Sequence, residues 1–281
     1  MKILVTGRDG QVAQSLAERA HDHELVFAAR PGFDLLDPAS IEKTIAEVRP
    51  DLIISAAAYT AVDLAEDEPD LAMAANGEAP GVIGRAAAKI DAPVLHLSTD
   101  YVFDGSGERP WREDDPTGPI GIYGKTKLAG EKALASSGAR YAILRTAWVY
   151  SPFGNNFVKT MLRLAETRDE LNVVADQFGN PTSGLDIADA LMVIVKRWQS
   201  EPLYGVDTVY HFAGSGTTSW ADFARAIFAE STKRSGPTCS VTAVTSLDYP
   251  TKAIRPANSR LDCTRFTETF CCTAPHWKSS L

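Results

Sequence analysis

Short apolar runs alternate along this chain with longer stretches whose apolar residues recur on one helical face. Residues 3–5, 24–28, 51–55, 93–97 and 141–144 read as strands. Between them, residues 11–20, 38–48, 63–75, 79–90 and 122–136 read as helices, with Pro38 and Pro80 near two of the starts. The strands are too apolar for either face to meet water. That pattern predicts a parallel sheet covered by helices on both sides. A loop rich in Gly, Pro and Asp spans residues 104–120. Beyond residue 150 the alternation is less regular: helices at 155–168, 185–198 and 220–230, short strands at 171–175 and 209–212, then a loop-rich tail from 249 to 281 with short helices. The expected fold is α/β, a Rossmann-type doubly wound parallel sheet with a smaller C-terminal lobe. Residues 1–150 form the first domain, a segment near 185–214 returns to it, and 151–281 make up most of the second.

Composition narrows the partners. A net charge of −8 over 281 residues argues against a nucleic-acid binder. No apolar run approaches the ~20 residues of a membrane span. The N-terminus goes straight from Ile3-Leu4-Val5 to Gly7 without a signal-type apolar segment, so a cytoplasmic protein is expected. The four cysteines form no C-x-x-C pair and read as incidental thiols, and the five histidines show no ligand spacing, so no metal site is expected from these residues. Glu66-Asp67-Glu68 reads as a solvated helix face, and residues 112–115 as a polar loop.

Two motifs carry the chemistry. Gly7 and Gly10 stand between the first strand and the first helix, with Gln11 and Val12 opening that helix and Ala13 in the place of a third glycine. Glycines there let backbone turn tightly and approach a pyrophosphate at a helix N-terminus. An NAD site places Asp or Glu about 20 residues on. At that distance stands Arg30, whose guanidinium suits a 2′-phosphate and favours NADPH, with NADH possible. Asp34 and Leu35 are placed to meet the adenine. Ala56, Ala57 and Ala58 end the third strand ahead of Tyr59, small enough for a cofactor to lie close.

The second motif is Tyr123 with Lys127, a phenol and an ammonium on one helical face. A nearby ammonium favours the phenolate, so Lys127 is expected to lower the pKa of Tyr123, which is near ~10 in isolation. Tyr123 then delivers a proton to a carbonyl oxygen, Lys127 bonds the nicotinamide ribose, and Thr99, at the end of the preceding strand, bonds the substrate oxygen.

At these residues the chain resembles the extended short-chain dehydrogenase/reductases and, among them, the dTDP-4-dehydrorhamnose reductase family. The resemblance is carried by residues 98–105 (STDYVFDG), 123–131 (YGKTKLAGE), 144–150 (LRTAWVY), 154–157 (GNNF), 176–182 (DQFGNPT) and 255–259 (RPANS), and it covers nearly the whole chain. It implies reduction, by NAD(P)H, of the 4-keto group of a dTDP-sugar, dTDP-4-dehydro-L-rhamnose, in a substrate-binding second lobe. It implies a catalytic set of Thr99, Tyr123 and Lys127, with Asp100 and Tyr101 in the loop beside it. Trp148 is implied as an aromatic against the sugar's apolar face, and Asn155, Thr182 and Arg255 as further substrate contacts, Arg255 toward the diphosphate. Departures are Ala13, Gly77 in a helix-linking stretch where Ala is expected, and the 270–273 segment Phe-Cys-Cys-Thr. Some relatives dimerise through Mg2+-binding carboxylates; that cluster is not identifiable here, so a homodimer and a Mg2+ requirement stay open. Competing readings are a nucleotide-sugar epimerase or dehydratase that keeps its NAD, and a catalytically silent regulatory module.

Overall fold

The computed structural model describes residues 1–281. Its central sheet contains β1 (Lys2–Thr6), β2 (Glu24–Ala28), β3 (Leu52–Ser55), β4 (Val94–Thr99), β5 (Tyr141–Thr146) and an edge strand, Thr208–His211. The spatial order is β2-β1-β3-β4-β5 and then the edge strand, and every neighbouring pair is parallel. The winding direction reverses between β1 and β3. A reversal of this kind opens a crevice at the carboxyl ends of the strands, where ligands bind in doubly wound folds.

Ten helices accompany the sheet: α1 (Gln11–Arg19), α2 (Pro38–Val48), α3 (Val62–Ala65), α4 (Pro69–Met73), α5 (Ala79–Ala88), α6 (Ile122–Ala135), α7 (Phe157–Ala165), α8 (Gly184–Ser200), α9 (Trp220–Lys233) and α10 (Thr264–Phe270). Side chains alternate across each strand. Ile3, Val5, Leu52, Ile54 and Leu95 face Leu16 of α1 and Ile187 and Leu191 of α8. Leu4, Ile53, Val94 and Ile143 face Ile41 of α2, Val82 and Ile83 of α5 and Leu134 of α6. Each fully buried side chain of this size contributes about 1.5–3 kcal/mol, which is why the strands read as unbroken apolar runs.

A second cluster forms around Phe223, Ile227 and Trp277, against α7, α9 and a parallel strand pair, Glu170–Val174 with Ser240–Val244. The latter strand was not expected, because its sequence mixes Ser and Thr with small apolar residues and it lies largely exposed. Within this excursion α8 packs beside α1, and Thr208–His211 pairs with β5.

The helix expected over residues 63–75 is broken. Proline is favoured in the first helical turn, and Pro69 starts a new helix after α3 has ended at Ala65. The chain then passes through a π-turn, Ala74–Glu78, into α5. That turn directs Asn76 inward, 1% exposed. Its Oδ1 accepts from the Tyr59 amide at 2.8 Å, and its Nδ2 donates to the Tyr59 carbonyl at 3.0 Å. Gly77 in this turn lies against the Met73 sulfur and Ala129, which leaves little room for the expected alanine.

Helix α6 lies unusually close to its neighbours. A Cβ on Gly124 would overlap the Tyr101 carbonyl oxygen, and one on Gly130 would overlap that of Asn76. Both obstacles are backbone and cannot turn aside. Gly130→Ala is therefore expected to lower stability by about 1–3 kcal/mol through overpacking, measured by urea unfolding. An unchanged midpoint would show that α6 has room to shift.

Candidate active site

The crevice at the strand ends is a cleft of about 790 Å3. Its floor is the turn after β1. Gly7 adopts φ +84° and donates its amide to Ala28 O at 2.7 Å; a side chain there would be strained and in contact with Ala57. Gly10 caps α1, and nothing lies within 4 Å of where its Cβ would be. No side chain caps α1, so first-turn amides face open space, the arrangement that receives a phosphate. Thr6 closes the floor: its Oγ1 accepts from the amides of Ala56 and Ala57, both at 3.0 Å. Gly7, Gly10, Gln11, Val12, Arg30, Asp34, Leu35, Ala56, Ala57, Ala58, Tyr59, Tyr123 and Lys127 all line the cleft. Arg30 is exposed at its mouth. Ala13 is buried between α1 and the sheet, where its small side chain keeps the helix close.

Tyr123, Lys127 and Glu131 lie at successive four-residue steps on one face of α6, above the end of β4. Lys127 is 3% exposed. Its Nζ donates to Leu97 O at 2.7 Å and lies 3.2 Å from His96 Nε2. Burial pulls its pKa down to about 8, against the Glu131 charge. Tyr123 departs from expectation: its pKa is raised, first by burial and then by the Asp100 charge, and only the Thr99 hydroxyl opposes the shift. The ammonium does not draw it down, because its hydrogen bonds go to the end of β4. The phenol is thus held neutral, as a proton donor requires.

Beside it, the Thr99 hydroxyl donates to Asp100 Oδ1 at 3.1 Å and accepts from the Tyr101 amide at 3.2 Å. Burial pushes the Asp100 carboxyl up to about 6. The Tyr101 ring meets Tyr123 edge-on, with centroids 5.5 Å apart. Thr146 also lines the cleft, with a buried hydroxyl that no protein group satisfies. Below these groups, Glu131 pairs with Arg145 at 2.7 Å and accepts from Ser98 Oγ at 2.5 Å, out of contact with water.

The residues expected to contact substrate are dispersed. Asn155 sits exposed on the cleft lip. Its neighbour Asn156, missed in the sequence, caps α7 and donates to Gln11 Oε1 at 3.0 Å, tying the second cluster to the glycine turn. Trp148 has a positive φ of 49° and stacks on Trp220 at 3.6 Å, so one of its faces is already covered. Arg255 pairs with Asp63 on α3 and also touches the Tyr101 phenol. Thr182 needs correction. It is fully buried, donating to Asn180 O and accepting from the Gly214 amide, so its hydroxyl braces the loop and is closed to substrate.

The acidic run at 66–68 lies between α3 and α4 rather than on a helix face, with Asp67 exposed and Glu66 and Glu68 half-buried. Glu66 accepts from the Ile122 amide at the start of α6, Asp67 pairs with Lys252, and Glu68 accepts from the Tyr59 hydroxyl. The partners of Glu66 and Asp67 lie far away in sequence, and no local pattern announces them. No group of three His, Cys, Asp or Glu is arranged to hold a metal ion.

A doubly wound sheet with a glycine turn after its first strand, and a tyrosine and lysine one helical turn apart over the same cleft, is the arrangement of the short-chain dehydrogenase/reductase class. The chain belongs to the family described as RmlD substrate binding domain, whose model matches residues 1–281. It is 48% identical over 281 residues to dTDP-4-dehydrorhamnose reductase of Sinorhizobium fredii, covering 100% of this chain and 95% of that protein. It is 43% identical to the Escherichia coli K12 reductase of the same name, covering 99% and 95%. Among solved structures, dTDP-4-dehydrorhamnose reductase from Bacillus anthracis in complex with NADP superposes with a TM-score of 0.90 at 33% identity, covering 99% of this chain and 96% of that one.

The raised phenol pKa is open to direct measurement. In an alkaline titration of the ligand-free protein, followed by tyrosinate absorbance, the component lost in Tyr123→Phe is expected to ionise above the ordinary value of ~10. A component titrating below that value would mean that Lys127 governs the phenol.

Proposed function

We propose that this chain reduces the 4-keto group of dTDP-4-dehydro-L-rhamnose to give dTDP-L-rhamnose, using NADPH, with NADH as a weaker alternative. The observation that carries the reading is that the glycine turn, Tyr123 and Lys127 line one cleft, with the Thr99 hydroxyl against the Tyr123 phenol. Likeness to named reductases over the full length supports the substrate. The glycine turn would hold the pyrophosphate of a reduced nicotinamide cofactor, which when bound would supply the hydride. Tyr123, neutral at working pH, donates the proton to the oxygen that becomes the C4 hydroxyl. Thr99, whose single hydroxyl proton goes to Asp100 in the ligand-free cleft, would turn that proton to the substrate oxygen beside the phenol. Lys127, charged below its lowered pKa, supplies positive charge where the oxygen gains electron density. The remaining face of Trp148 and the lip residue Asn155 are assigned to the sugar, and Arg255 to the diphosphate, which then competes with Asp63 for the guanidinium. Arg30, exposed at the mouth, is assigned to the 2′-phosphate, and the relative solved with NADP is consistent with that preference. Four thiols, none in a disulfide, suit a reducing compartment such as the cytoplasm.

With dTDP-4-dehydro-L-rhamnose and NADPH, Tyr123→Phe is expected to lose about 10²–10⁴ in kcat while cofactor affinity, read by fluorescence, stays within twofold. Near-normal turnover in that variant would refute the proton-donor role. Arg30→Ala should raise the KM for NADPH by about tenfold or more, the loss of one charge-assisted contact, and leave that for NADH nearly unchanged. Equal effects on both would overturn the cofactor assignment.

A further inference from the structure

The buried histidine of β4 has no place in the expected catalytic set, yet it touches that set directly. His96 is 1% exposed, in the strand segment next to Leu97. Its Nε2 lies 3.2 Å from Lys127 Nζ, and its Nδ1 lies 3.0 Å from Ser55 Oγ on β3. An ammonium offers only donors. The ring nitrogen facing it must therefore be the unprotonated acceptor, which leaves the proton on Nδ1, where it is donated to Ser55. One tautomer satisfies both contacts.

We propose that His96 is the positioning residue for Lys127: with the Leu97 carbonyl it accepts two of the three ammonium protons, keeps Lys127 charged while buried, and directs the third proton into the cleft.

The inference rests on the reductase reading of the cleft, and geometry argues it in three steps. Lys127 is reached by no carboxylate; Glu131, four residues on, is occupied by Arg145 and Ser98. A buried ammonium without hydrogen-bond acceptors shifts to its neutral form or swings toward water. Of its two protein acceptors, one is main chain, so His96 is the only side chain that accepts a hydrogen bond from the lysine. The groups around this pair are Ser55 of β3, bonded to His96, Tyr123 one turn away on α6, and Glu131, whose charge acts on Lys127 and which is itself held by Ser98 of β4 and Arg145 of β5. Burial and the Lys127 charge both lower the pKa of His96, which favours the neutral ring. Lys127 ionises well below Tyr123, so it sets the alkaline limb of activity.

The test uses wild type, His96→Gln and His96→Leu as full chains. Glutamine keeps an acceptor near the Nε2 position; leucine keeps volume alone. His96→Leu is expected to lose tenfold or more in kcat with the sugar KM within twofold, and its alkaline limb should move to lower pH by about one unit. His96→Gln should restore most of the rate and the limb. In wild type, 15N shifts of the His96 ring should report an unprotonated Nε2 and a protonated Nδ1 from pH 5 to 8 without titration. A folded leucine variant with an unmoved limb, a glutamine variant no better than leucine, or a ring protonated on Nε2 would each overturn the proposal. If leucine prevents folding, the nitrogen shifts and the glutamine profile decide. The shifts need no turnover, so an absent reductase activity would strike the functional reading and leave the assignment of His96 standing on its own test.

Discussion

The close seat of α6 on the end of β4 is the constraint on which the site depends. Helix axes in proteins ordinarily stand ~8–10 Å apart, and side chains set that spacing. Gly124 and Gly130 remove the side chains at two points, so the helix backbone comes to rest against the carbonyls of Tyr101 and Asn76. The helix then presents Tyr123, Lys127 and Glu131 in register with Thr99, Leu97 and Arg145. Glu66, accepting from the Ile122 amide, fixes where α6 begins. The π-turn serves the same end from the other side, since Asn76 holds the Tyr59 backbone that walls the cleft.

This arrangement places several charges out of water. Burying a pair rarely stabilises a fold, but removing one partner costs about 3–5 kcal/mol. Glu131 and Arg145 answer each other, with Ser98 on the carboxylate and the Arg145 guanidinium over the Phe103 ring. Lys127 makes no ion pair: Glu131 acts on it only through its charge, and its hydrogen bonds go to dipoles, the Leu97 carbonyl and the His96 ring. A lysine held by dipoles stays charged but is easily perturbed, which suits a group acting near neutral pH. The phenol above it, shifted the opposite way, stays neutral over the same range. Burial alone thus separates the two groups by sign, because it disfavours the charged form of each.

Much of the sheet was legible because its rules are local. Apolar runs such as Leu52–Ser55, buried on both faces, announce a parallel sheet, and Gly7 and Gly10 mark where it meets a helix. Tyr123 and Lys127 were legible as a spacing. What could not be read was set by tertiary contacts. The lysine's effect on the phenol was inferred from proximity along one helix, whereas its hydrogen bonds are taken by β4. Glu66 gave no sign of its role at the start of α6, because Ile122 is remote in sequence. Thr182 looked available because nothing local shows that Asn180 and Gly214 have claimed its hydroxyl. The apolar pattern continues through Pro69, so periodicity alone does not mark the break there.

The central claim is net reduction by an exchangeable cofactor, with the proton drawn from Tyr123. It is tested most directly by following isotope from NADPH carrying deuterium at the transferable position. The account predicts one deuterium at C4 of the sugar, one oxidised cofactor released per product, and neither in Tyr123→Phe. Deuterium retained on a tightly bound cofactor, with product formed and no net oxidation, would contradict it.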